Sequence, residues 1–148
     1  MADQEGARPS AVNRGFGRVL VTVYAIFAIA ATARSAVQIA TRFDEAPIAY
    51  LLSALAAVVY IIATVALARG DRTSRRVATI AITIELVGVL AVGALSLLDP
   101  DAFPRASVWS GFGRGYLFIP LVLPVVGLWW LRRTAAPSPN QAASPPPR

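Results

Sequence analysis

Four long stretches almost free of charge dominate the chain: 19–41, 48–68, 77–98 and 116–131. A helix rises ~1.5 Å per residue, so about 20 apolar residues cross a hydrocarbon core of ~30 Å. The first three stretches are long enough. The fourth, at about 24 Å, must borrow length upstream or thin the bilayer locally. Lipid offers no hydrogen bonds, so each stretch must satisfy its own backbone as a helix. The expected fold class is all-α: a polytopic membrane protein built as a four-transmembrane-helix bundle. Only 15% of the 148 residues are charged and 56% are hydrophobic, whereas soluble domains average about 25% charged.

All 14 basic residues are arginine, and their placement predicts orientation. Arg8, Arg14, Arg18, Arg69, Arg72, Arg75, Arg76, Arg132, Arg133 and Arg148 fall on one side of the four spans. Only Arg34, Arg42, Arg105 and Arg114 fall toward the other. The excess of arginine on cytoplasmic loops predicts that both termini are cytoplasmic. Trp129 and Trp130 then stand at the inner interface, and Tyr50 and Tyr116 near the outer one. The +6 net charge is explained by this topology, so no nucleic-acid partner is expected. Residues 1–18 read as a flexible cytoplasmic tail. The Pro/Ser/Ala-rich 132–148 reads as a disordered one, because it has too little apolar surface to bury. "RVLVTVYAIFAIAATA" resembles a signal peptide with a cleavage site at Ala31-Thr32-Ala33. The apolar run continues through "SAVQIAT" to spanning length, which favours a retained span. "RGD" at 69–71 lies in an expected cytoplasmic loop and predicts no adhesion role. "GFGR" at 15–18 and 111–114 introduces a span each time without matching helices behind it, so no duplication is inferred.

The chain has no cysteine and no histidine. That excludes disulfides, thiol redox chemistry, Cys/His zinc sites and histidine acid–base catalysis. The eight acids are scattered, so neither an oxygen-ligand metal cage nor any other cofactor is expected. An enzyme ranks last among the function classes.

The exception to the apolar pattern is Glu85, near the middle of "ATIAITIELVGVLAVGALSLL". An acidic side chain in a span is a functional candidate, as a proton or cation site, or else a carboxyl that holds two helices together. Counting along the spans puts Tyr60 and Glu85 level, each about 12 Å from the inner end. Ser53 and Arg34 are level at about 22 Å. Two polar layers are therefore expected, Tyr60 hydrogen-bonded to Glu85 below and Ser53 with Arg34 above. Ser53, Ala57, Tyr60 and Thr64 share one helical face, as do Ala81, Glu85, Gly88 and Val92, and Arg34, Gln38 and Thr41. Ser53, Thr64 and Gly88 read first as packing positions, because small and hydroxylic residues line membrane helix contacts. Arg34 is expected to snorkel outward or to meet Asp44 and Glu45. Pro120 and Pro124 are expected to kink the fourth span. The 99–115 loop either lies on the outer interface or caps the bundle.

"RSAVQIATRFDEAPIAYLLSA", "ELVGVLAVGALSLLDPDAFP" and "GRGYLFIPLVLPVVGLWWLRR" together resemble small, uncharacterised four-span integral membrane proteins of actinobacteria, over residues 18–133. The resemblance implies a bacterial plasma-membrane location and carries neither activity nor site. The small multidrug resistance exporters also have four spans and one intramembrane glutamate, but theirs is in the first span and this one is in the third. The expected function is a structural or accessory component of a membrane complex. The competing class is a small proton-coupled transporter that works as an oligomer through Glu85. Expected partners are the lipid bilayer and either further copies of the chain or a larger membrane-protein complex.

Overall fold

The computed structural model describes residues 11–135. All regular structure there is helical: α1 (Ala11–Arg42), α2 (Pro47–Arg69), α3 (Arg72–Leu98) and α4 (Ile119–Arg133). Short 3-10 segments occur at Phe43–Glu45, Pro100–Ala102 and Ser110–Tyr116. Helices α1 to α3 are each long and apolar enough to cross a membrane. A fourth span exists only if α4 is taken together with Ser110–Tyr116, which is bent from it by 99°. Residues 1–10 and 136–148, where most of the two expected tails lies, are outside the described residues.

Two expected boundaries move. Helix α1 starts at Ala11, not Val19, so part of the expected N-terminal tail is helical. The fourth span was expected over 116–131, kinked at Pro120 and Pro124, but α4 starts at Ile119. The cause is local. Leu117 and Phe118 adopt left-handed backbone conformations, with φ of 56° and 60°, which no α-helix can pass through. Pro120 follows in the first turn of α4. There its missing N–H is no loss and its fixed φ suits a helix start. Pro120 is therefore a helix start and not the kink expected of it, and Pro124 alone lies within α4.

The α2–α3 turn shows why the chain reverses at "RGDR". Gly70 ends α2 with φ 70°, and its N–H reaches the Ala66 carbonyl. A left-handed glycine just past the last turn is a common helix stop. Asp71 caps α3, accepting from the Ser74 backbone N–H at 3.1 Å and the Ser74 hydroxyl at 2.5 Å. These two bonds hold the Asp71 carboxyl below its ordinary range.

Helix α1 packs on α2, α2 on α3, and α3 on both α4 and Ser110–Tyr116. The ring closes where Phe16 of α1 meets Trp129 of α4 edge-on, with centroids 6.2 Å apart. Buried Ala56, Ala57, Ala63 and Ala66 of α2 let the helices approach closely. Large apolar side chains such as Ile29, Val58, Ile80, Val87 and Val125 point outward. An apolar exterior around a helical bundle is suited to lipid rather than water.

Candidate functional site

Glu85 is on the buried face of α3 with Ala81 and Val92, and its relative exposure is 0%. Its carboxyl accepts a hydrogen bond from the Tyr24 hydroxyl of α1, at 2.7 Å to Oε2. The other oxygen, Oε1, is buried and has no hydrogen-bond partner. The expected donor was Tyr60, and this expectation is corrected. The Tyr60 hydroxyl instead accepts from the Trp109 indole Nε1 at 3.1 Å. Tyr60 remains in the same cluster. Its ring is 6.2 Å from that of Tyr24, the donor to Glu85, and 5.7 Å from that of Phe27.

Trp109 is buried although it belongs to the expected outer loop. Of the two expectations for that loop, the cap describes it better, and the cap reaches inward. The indole lies against Gly88 of α3, where a Cβ would come within 2.6 Å of the ring. Gly88 is therefore the residue that admits Trp109. The irregular backbone around it is satisfied by side chains of the spans. Val108 N–H donates to the Ser53 hydroxyl at 3.3 Å, and Gly111 N–H to the Ser96 hydroxyl at 2.8 Å. Non-helical backbone at membrane depth is tolerated only where protein groups satisfy it in this way.

The upper layer also differs in its pairs. Arg34 donates to the Tyr116 hydroxyl and, at 3.3 Å, to the Ala106 carbonyl, and its guanidinium lies 5.7 Å from the centre of the Tyr116 ring. It meets neither Ser53 nor the acids at 44 and 45. Glu45 pairs instead with Arg105 at 3.2 Å, both largely exposed. Ser53 and Arg34 reach the same stretch, Ala106–Val108, so they share a level without touching. Thr64 spends its hydroxyl on the Tyr60 carbonyl of its own helix, at 2.6 Å. That is the ordinary use of a threonine in a membrane helix.

Sequence reasoning missed Tyr24 and Trp109. Tyr24 had a usable signal, since a tyrosine inside an apolar run needs a partner for its hydroxyl. Trp109 had none, because nothing periodic in 99–115 marks an inward turn.

Chemically, the arrangement is one carboxyl, two phenols and an indole, closed in by apolar residues. It can hold or exchange a proton. No group of three or more His, Cys, Asp or Glu side chains able to hold a metal occurs among the described residues. Comparisons with protein-family profiles, curated proteins and solved structures give no match to this chain.

Proposed function

We propose that this is a multi-pass plasma-membrane protein with both termini cytoplasmic, acting as a structural or accessory component of a membrane complex. The arginine distribution and the resemblance to actinobacterial four-span proteins support the location. The enclosure of Glu85 supports the role. The carboxyl is fully buried and bonded to Tyr24, whose ring lies 6.2 Å from that of Tyr60, and Tyr60 in turn meets Phe27 and Trp109. Burying a neutral polar group with one good partner costs little, whereas burying an unpaired charge costs far more. Glu85 in this setting ties α3 to α1 and gives the bundle one defined packing.

A second reading is favoured by the unpartnered Oε1, which is a spare acceptor in a buried site. In that reading Glu85 is the proton site of a small oligomeric transporter.

One pair of measurements separates the two. Protein reconstituted in vesicles with an imposed pH gradient should not dissipate it, and Glu85→Gln should change nothing. In native membranes, a photo-crosslinker at outward-facing Val58 should give discrete protein adducts. Proton flux lost in Glu85→Gln would overturn the accessory role in favour of transport. Crosslinks to lipid alone would overturn membership of a complex.

A further inference from the structure

At the end of the bundle where α3 begins and α4 ends, a groove of about 710 Å³ runs between the two helices. Its rim carries Arg72, Arg75 and Arg76, and its apolar wall is Ile80 and Leu131, with Thr134 at the far side. Arg75 is fixed in place. Its Nη2 donates to the Leu131 carbonyl at 2.9 Å and to the Thr134 hydroxyl at 2.6 Å, and its guanidinium lies 5.6 Å from the centre of the Trp130 ring. A guanidinium carries five N–H donors, so Arg75 retains others after making these bonds. Arg72 and Arg76 are four residues apart on α3 and exposed, and neither forms an ion pair among the described residues. The acid nearest in sequence, Asp71, is occupied by its two bonds to Ser74.

Two facts decide what such a groove suits. First, its wall is apolar while its rim is cationic, a combination that a free anion does not need. Second, it opens beside α4, whose 15 residues span only about 22 Å. A helix that short is accommodated by local thinning of a core of ~30 Å, which brings lipid head groups toward the groove. Arginine recognises phosphate oxygens in paired, planar fashion, and basic pockets between membrane helices bind anionic head groups.

We propose that this groove is a binding site for an anionic phospholipid. Arg72 and Arg76 take the phosphate, Arg75 forms the back of the site, and one acyl chain lies along Ile80 and Leu131. The site requires only that the protein is in a membrane, so it holds under either reading of Glu85.

The test is native mass spectrometry of protein from mixed micelles with equal phosphatidylglycerol and phosphatidylcholine. The wild type should retain one phosphatidylglycerol with a preference of roughly tenfold or more, since two arginines of the groove converge on its phosphate. Arg72→Gln with Arg76→Gln should bring the preference close to parity. Both side chains are exposed, and circular dichroism should confirm an unchanged fold. Arg132→Gln with Arg133→Gln removes the same charge from residues outside the groove and should keep the preference. Equal loss in both double variants would mean diffuse attraction and overturn the site, as would an unchanged preference in the first. Displacement of the lipid by millimolar inorganic phosphate at constant ionic strength would show a bare phosphate site and overturn the lipid assignment.

Discussion

Tyr24 and Tyr60 present the same phenol to the same buried region, yet only Tyr24 donates to Glu85. The difference lies in the competition. Trp109 needs an acceptor for its buried N–H, and Tyr60 supplies it. Removing Tyr24's hydroxyl should therefore matter to Glu85 more than removing Tyr60's. In a double-mutant cycle, Tyr24→Phe and Glu85→Leu should couple by about 0.6–1.7 kcal/mol, the range of membrane hydrogen bonds. Tyr60→Phe should couple to Glu85→Leu more weakly. Unfolding in mixed micelles measures both, and a larger coupling at Tyr60 would reverse the assignment. Glu85 was legible in the sequence as a carboxyl that would be buried in the bundle, because a lone acid stands out against an apolar span. The donor was not. Depth counted from span ends ranks Tyr60 first, and the residue that takes Tyr60's hydroxyl is 49 positions downstream in an apparent surface loop.

The capping segment between Phe103 and Phe118 departs furthest from the expected elements. It contains left-handed residues at Gly111, Phe112 and Gly113, then again at Leu117 and Phe118. For the three that are not glycine, such conformations cost about 1–3 kcal/mol each and persist only where surroundings dictate them. Here the surroundings are the Trp109 anchor and the hydrogen bonds that the segment's backbone donates to Ser53 and Ser96. Gly88→Ala should push the indole out of its seat, at a cost of about 1–3 kcal/mol for overpacking. With Trp129 and Trp130 replaced by Phe, the emission of Trp109 should shift to the red. Trp109→Ala should remove most of the penalty of Gly88→Ala. An unshifted emission would mean that the ring is not held there. Helices α1 to α3 were legible because length and apolarity suffice to define a span. The capping segment was not, because "GFGR" before a span looks like a flexible lead-in, and its geometry follows from contacts with α2 and α3.

The whole molecule is a bundle whose two ends differ. One end carries the arginine-lined groove and the capped "RGDR" turn, and the other is closed by the segment around Trp109. The proposed orientation puts the arginine-rich end in the cytoplasm. A cysteine at Thr73 should then be shielded from impermeant thiol reagents in intact cells, and one at Ala102 should react. Labelling at 73 without labelling at 102 would invert the topology. The bundle class and the number of apolar runs could be read from the sequence, because the bilayer permits so few solutions. How the fourth run is used could not, because it depends on where Trp109 is received. That dependence sets a direction in time. A ribosome makes Ser53, Tyr60 and Gly88 before it makes Trp109, so both walls of the indole's seat precede the indole. The side chains that receive the segment from 103 onward thus all precede it in the chain, and those that it receives in return, in α4, follow it.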